Sequence, residues 1–221
     1  HAHSFSYKKP KGMPAKADPE KQAAFIKYYD NLIKKTPEDE PIEFGDGVHP
    51  TMATKITYGW IRTGKENDKL IQTTASRTRL NLMGSINLKT MLVTMSRHET
   101  INSEAMGEHF LALRKKYPNA PKIHLIVDQG PYNKSQKTKD FALKNGIILH
   151  YLPPYSPNLN PIERLWKVMN ERVRNNKFFP SAKIFREKIS EFFDTTIPNI
   201  AQSLRGRIND NFQTIKPVTS G

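Results

Sequence analysis

The stretch KIHLIVDQGP, residues 122–131, constrains the fold more than any other part of this sequence. Its apolar side chains fall on both faces of an extended chain, which is typical of a central strand covered by helices on both sides. The strand is predicted to end at Asp128. A second buried strand is predicted for IILHYL, residues 147–152, so at least two strands of the protein must lie inside a layered fold.

Alternating and helical patterns cover most of the remaining chain. Further strands are predicted for PIEFGD (41–46), KITYGWIRTG (55–64) and SINLKTMLVTMS (85–96). Helices are predicted over residues 20–35, 102–117, 134–145 and 160–176. Because strands dominate early and helices alternate with strands later, the sequence predicts an α/β fold with a mixed central sheet and helices on both faces.

The 221 residues divide into three parts. Residues 1–19 lack apolar periodicity and contain several Lys and Pro residues, so they are interpreted as a linker or arm, with residues 1–3 as a tag remnant. Residues 20–180 are predicted to form one α/β domain. Residues 181–221 are predicted to form a helical extension that packs on this domain or on a partner.

The composition excludes several kinds of site. The chain has no Cys, which excludes disulfides, thiol catalysis and Cys-ligated zinc, so any metal needs carboxylate or His ligands. No apolar run approaches the roughly 18 residues of a membrane span. We therefore expect a soluble, intracellular protein.

The basic residues are concentrated in the middle of the chain. Residues 61–180 hold 20 Lys and Arg against 9 Asp and Glu, and so account for most of the formal charge of +14. Lys and Arg that neutralise phosphates release condensed counterions, so nucleic acid is the natural partner for such a surface. A basic surface that is merely well solvated is the alternative.

Three carboxylates are candidate site residues. Asp46 and Asp128 each end a predicted strand, where Asp before Gly or Pro also serves as an ordinary turn residue. Glu163 falls in the first turn of the predicted helix 160–176, where it could complete a capping box with Asn160 or pair with Lys167. These local roles explain the acids without any chemistry.

The spacing of the acids permits a second interpretation. Asp128 and Glu163 are separated by 34 residues, enough for a helix, a strand and a Pro-rich turn that return Glu163 to the strand end. Three converging carboxylates repel one another unless divalent cations pair them, and hard cations such as Mg²⁺ prefer oxygen ligands. Asp46, Asp128 and Glu163 are thus predicted to form a two-metal site for phosphodiester chemistry.

Several stretches resemble a known family: FGDGVHPT, LNLMGSINL, HLIVDQGPYNKS and ILHYLPPYSPNLNPIERLWKVMNERV. Over residues 7 to about 176 the chain resembles the DDE transposases of the mariner superfamily, in particular the bacterial insertion-sequence branch. At matching positions Asp46, Asp128 and Glu163 correspond to the catalytic acids and metal ligands of that family. The resemblance implies an RNase H-like fold, with residues 20–180 as the catalytic domain.

The resemblance also implies an activity and partners. It implies a DNA transposase, a metal-dependent endonuclease and strand transferase that cleaves phosphodiesters at transposon ends and transfers the 3′-OH into target DNA at a TA site. It further implies two divalent cations, Mg²⁺ with Mn²⁺ as a substitute, a homodimer in the active complex, and a bacterial cytoplasmic protein associated with the nucleoid. The family's helix-turn-helix region is expected to be missing from this chain.

Basic and aromatic residues near the acids have two interpretations each. Lys134, Lys137, Arg164 and Lys167 are candidate DNA contacts, or residues of solvated helix faces. Trp166 belongs to an apolar helical stripe, which favours core packing that anchors Glu163 over base stacking. Two other functions stay open: another RNase H-like nuclease, and a domesticated, catalytically silent DNA-binding protein.

Overall fold

A five-stranded mixed sheet forms the centre of the structure, a computed structural model that describes residues 15–214. The strands are Ile42–Val48 (β1), Asn81–Asn87 (β2), Val93–His98 (β3), Ile123–Val127 (β4) and Ile147–Tyr151 (β5). Their order is β3-β2-β1-β4-β5. The pairs β1–β2 and β2–β3 are antiparallel, whereas β4 pairs in parallel with both β1 and β5.

Helices connect the strands and follow them. They are Pro19–Lys35 (α1), Ser103–Lys116 (α2), Pro131–Lys134 (α3), Gln136–Lys144 (α4), Ile162–Met169 (α5), Ala182–Glu191 (α6) and Ile197–Ile200 (α7). A wider helical turn, Asn170–Arg174, continues α5, and another, Phe192–Thr196, joins α6 to α7. Within residues 15–214, none of the helices has both the length and the hydropathy to cross a bilayer.

The sheet separates two apolar cores, as the run of apolar residues in β4 requires. Leu125 and Val127 point into a core that α2 and α4 cover, with Phe110 and Ala142 among its members. On the opposite face, Ile126 joins a core formed with α1, α5 and α6. Helices therefore cover both faces of the mixed sheet, which confirms the predicted fold class.

Residues 182–212 contribute to the second of these cores. Phe185, Ile189, Phe192 and Ile208 are buried there together with the apolar face of α5. The helical extension thus packs on the sheet domain. Most of the segment interpreted as a linker, residues 1–19, lies outside the described residues, as do residues 215–221.

Two of the predicted strands are wrong. Residues 55–64 form no strand, because no neighbouring strand offers them a ladder: a single bridge joins Lys55 to Asn175, and the side chains of Tyr58 and Trp60 are fully exposed. Residues 85–96 span two strands rather than one. The chain reverses between β2 and β3, where Met91 adopts a positive φ of 62° and its N–H bonds Asn87 O.

Helix α1 is fastened to the loop between β5 and α5 by a buried amide. Gln22 is fully buried, and its Nε2 donates to Ser156 Oγ at 2.9 Å. Its Oε1 accepts from Asn158 Nδ2 at 3.0 Å. Buried side-chain amides are stable only when their donors and acceptors are paired, so this contact fixes both the helix and the loop.

A fully buried histidine on α2 makes the stability of this fold sensitive to acid. His109 is in contact with Ser96 Oγ through Nδ1 at 3.1 Å, and its Nε2 has no partner among the described residues. Burial, with smaller contributions from nearby His98 and Lys116, lowers the pKa of His109 to about 3. Below pH 6.5 the unfolded chain therefore binds a proton at His109 that the folded chain does not bind. The free energy of unfolding falls as the pH falls for this reason.

We expect His109→Phe, which keeps a ring but cannot be protonated, to weaken this acid sensitivity. Between pH 7 and pH 5 the parent should lose about 2 kcal/mol more of its free energy of unfolding than the variant does. Urea denaturation at the two pH values measures the difference. Equal losses in the two proteins would show that His109 is not held neutral in the core.

Candidate active site

Asp46 and Asp128 lie side by side because β1 and β4 are parallel neighbours. The pairing aligns Ile42 with His124 and Phe44 with Ile126. Asp46 follows Phe44 by two residues in β1, and Asp128 follows Ile126 by two residues, just beyond the end of β4, so both acids lie at the same edge of the sheet. The carboxyl ends of adjacent parallel strands are the usual place for a site in an α/β fold.

Glu163 reaches the same place through the Pro-rich loop and the start of α5. Asn160, which is buried, donates from Nδ2 to the carbonyl of Gly45 at 3.2 Å and so ties the beginning of α5 to β1. The helix begins at Ile162 with Pro161 before it and no side-chain cap. The capping-box interpretation of Glu163 is therefore wrong, because Asn160 uses its side chain on the sheet instead.

One cleft of about 510 Å³ brings the three acids together. Its wall consists of one residue of β1, residues that follow β4 and β5, and the first turn of α5. They are Asp46, Asp128, Gln129, Gly130, Lys134, Leu152, Pro153, Pro154, Tyr155, Ser156, Pro157, Asn160 and Glu163. The three acids that the 34-residue spacing allows to meet thus line one cleft in the folded chain.

Neutral donors hold one oxygen of each aspartate. Asp128 Oδ1 accepts from the Gly130 amide at 2.9 Å and from Asn133 Nδ2 at 2.7 Å, so this acid also serves the turn. Asp46 Oδ2 accepts from Trp166 Nε1 at 2.9 Å. Among residues 15–214, no side chain donates to the second oxygen of either aspartate or to the Glu163 carboxylate.

Burial and mutual repulsion make Asp46 and Glu163 hard to ionise. Burial, followed by the negative charges of Glu163 and Asp128, raises the pKa of Asp46 to about 7, although the Trp166 hydrogen bond acts in the opposite direction. Burial also raises the pKa of Glu163, with nearby Lys167 opposing it and Asp128 adding to it. Such an arrangement is costly unless positive charge enters the cleft.

The donor set suits a hard divalent cation. All three acids offer oxygen ligands, which Mg²⁺ and Mn²⁺ prefer, and the chain has no Cys to favour a softer metal. Within the described residues, no three Asp, Glu or His side chains are already grouped closely enough to hold a metal ion. The carboxylates would therefore have to draw together when a cation binds.

The four candidate DNA contacts differ in what they do. Lys134 lines the cleft, and Lys167 is exposed one turn after Glu163. Lys137 forms an ion pair with Glu104. Arg164 is engaged by the fold itself, since its guanidinium donates to Asn209 O at 2.7 Å and to other oxygens of the C-terminal segment.

Sequence reasoning missed the polar partners of the acids. Trp166 was assigned to the core, which is correct for its ring, but its N–H bonds Asp46 and not a group near Glu163. A signal for a polar partner was available, because a buried indole N–H needs an acceptor, but the sequence did not show that this acceptor is Asp46. Asn133 offered no such signal before the fold was known.

Solved structures share this fold. The Mos1 mariner paired-end complex with Mn has a TM-score of 0.64 at 15% identity, and the alignment covers 96% of this chain and 69% of that one. The catalytic domain of Mos1 mariner transposase has a TM-score of 0.57 at 14% identity, with 90% and 93% covered. The predicted RNase H-like fold is thus confirmed.

Two sequence relatives come from bacteria, one of them from an insertion element. The insertion element IS630 39 kDa protein of Shigella sonnei is 27% identical over 180 residues, which are 81% of this chain and 51% of that protein. Protein y4pE/y4sA of Sinorhizobium fredii is 33% identical over 78 residues, 35% of this chain and 56% of the relative. The chain spans about half the length of these relatives.

Two family models match different parts of the chain. A winged helix-turn helix model matches residues 1–29, which corrects the expectation that no part of such a module is present. The model described as DDE superfamily endonuclease matches residues 41–186, two thirds of the chain, and this range contains Asp46, Asp128 and Glu163. The chain therefore belongs to the DDE superfamily of endonucleases.

Proposed function

We propose that this chain is the catalytic part of a DNA transposase. It would cleave phosphodiesters at transposon ends and transfer the resulting 3′-OH into target DNA. The observation that carries the proposal is the cleft that Asp46, Asp128 and Glu163 share in a chain of the DDE endonuclease family. The proposal assigns these three acids as the catalytic residues.

Two divalent cations would be held by Asp46, Asp128 and Glu163. These cations would be Mg²⁺, or Mn²⁺ as its substitute. When bound, such cations activate the attacking water or 3′-OH and stabilise the leaving oxygen. The protein contributes aspartates whose orientation is fixed. Because Trp166, Gly130 and Asn133 each donate to one oxygen of an aspartate, the second oxygen is left for a cation.

The substrates and partners are inferred from the relatives. Solved Mos1 structures include a paired-end complex with the left transposon end and a strand transfer complex. By analogy we propose that this chain acts on the ends of an insertion sequence, inserts at TA sites, works as a homodimer and lies with DNA in the bacterial nucleoid. The excess of Lys and Arg over Asp and Glu within residues 61–180 supports the choice of DNA as partner.

Substitution of one acid tests the chemistry. We expect Asp128→Asn to reduce Mg²⁺-dependent nicking of DNA by at least a thousandfold while leaving the Kd for DNA nearly unchanged, because the amide cannot balance cation charge. The matched control is Asp140→Asn, an exposed carboxylate on α4. Nicking at the wild-type rate by the Asp128 variant would refute the assignment. An absence of nicking by the parent protein would favour a silent DNA-binding protein. Cleavage of RNA in a hybrid would favour another RNase H-like nuclease.

Removal of an acid should stabilise the metal-free protein. The pKa of Asp46 in the fold, about 7, lies above the ordinary value of 3.8, so ionised Asp46 destabilises the folded state, most strongly above pH 7. At pH 8 in EDTA, we expect Asp46→Asn to gain about 1 kcal/mol or more, a rise in Tm of roughly 2–4 °C per kcal/mol. Saturating Mg²⁺ should raise the Tm of the parent and barely affect the variant. Thermal unfolding with and without Mg²⁺ measures both effects, and a variant less stable than the parent in EDTA would contradict them.

Lys134 in the cleft and Lys167 on α5 beside it should contribute to DNA affinity through phosphates. We expect Lys134→Ala and Lys167→Ala to weaken binding to duplexes of any sequence and each to lower the slope of log Kd against log salt by about 1. Lys144→Ala, at the exposed end of α4, is the matched control. Fluorescence anisotropy between low and physiological salt measures the slopes. If log Kd has the same slope against log salt in all three variants, phosphate contacts at the cleft are excluded.

A further inference from the structure

Trp166 shares helix α5 with Glu163 and bonds Asp46 on β1. It lies on α5 one turn after Glu163, is 4% exposed, and donates its indole N–H to Asp46 Oδ2 at 2.9 Å. The other buried residues on this face of α5 are apolar and reach no polar group of β1. Trp166 is therefore the side chain of α5 that hydrogen-bonds an acid of the cleft.

A glycine on β2 makes room for the indole. Gly84 is paired directly with Asp46 in the antiparallel register of β1 and β2. A Cβ at residue 84 would lie 2.5 Å from Trp166 Cη2 and 2.6 Å from Met95 Sδ. The ring thus fills the space that a side chain would otherwise take beside Asp46, and its place depends on this glycine.

The indole can act on Asp46 in a way that a purely apolar ring cannot. Its N–H is a donor with no acceptor capacity, so it can bond only an acceptor oxygen of the Asp46 carboxyl group. The bond fixes the rotation of the Asp46 carboxylate and determines which oxygen is free. Groups that orient metal-ligating carboxylates typically change metal affinity or activity by about 10–100-fold when removed.

We propose that Trp166 is a positioning residue for Asp46. Its N–H holds Oδ2 so that Oδ1 is left for a divalent cation, and its ring, seated against Gly84, sets the distance of α5, and hence of Glu163, from β1. This inference rests on the proposed function, because it assumes that the acids bind cations.

Trp166→Phe tests the N–H while keeping an aromatic ring. We expect the Mn²⁺ concentration for half-maximal nicking and the calorimetric Kd for Mn²⁺ to rise about tenfold or more. The Kd for DNA should stay within twofold, which a general loss of structure would not allow. An unchanged Mn²⁺ affinity in a folded Trp166→Phe protein would overturn the proposal.

Gly84→Ala tests the seat of the ring without touching Trp166. Because the added methyl group displaces the indole, this variant should show the same weakened Mn²⁺ binding. Gly206→Ala is the matched control, since a Cβ there meets no atom within 4 Å. Equal Mn²⁺ affinity of the two glycine variants would count against the proposed seat.

A fluorescence measurement avoids any change at the site. The chain has two Trp residues, so Trp60→Phe, at a fully exposed position, leaves Trp166 as the reporter. Mn²⁺ should quench its emission with the calorimetric Kd, and adding Asp46→Asn should abolish the quenching. If quenching persists in the Asp46 variant, the proposed metal site itself is wrong. If Mn²⁺ binding depends on Asp46 but the emission does not change, only the role of Trp166 is overturned.

Discussion

The parallel pairing of β1 with β4 is the constraint on which the rest of the structure depends. It brings Asp46 and Asp128 to the same edge of the sheet, near the carboxyl ends of two neighbouring strands. A parallel pair must be covered on both faces, which accounts for the α2 and α4 layer on one side and the α1, α5 and α6 layer on the other. The third acid then needs only a loop and a helix that return to this edge.

The acids are held by neutral groups although the protein is strongly basic. Among residues 15–214, none of the three forms a salt bridge, and the donors to Asp46 and Asp128 are an indole, an amide side chain and a backbone N–H. A Lys or Arg in direct contact would neutralise a carboxylate and compete with a cation for it. Neutral donors orient the oxygens and leave the negative charge in place. This charge lowers the stability of the folded state, in agreement with the raised pKa of Asp46.

The sequence predicted what depends on local pattern. The apolar run before Asp128 identified the buried strand, and the spacing to Glu163 allowed the acids to meet. It could not predict contacts between distant segments: residues 55–64 have the composition of a strand but no strand beside them, and the side chain of Asn160 is used on Gly45 rather than on its own helix. The partner of the Trp166 N–H was hidden for the same reason, since it lies 120 positions away in the sequence.

The buried amide of Gln22 links the wall of the cleft to the first helix of the described chain. Gln22 and Asn158 exchange hydrogen bonds in both directions, and Ser156, which lines the cleft, completes the contact. The winged helix-turn helix match ends at residue 29, inside α1, so one helix serves both the matched segment and the cleft wall. If α1 shifts or rotates, it must either break these bonds or drag the loop along. The position of α1 and the position of this part of the cleft wall are therefore coupled.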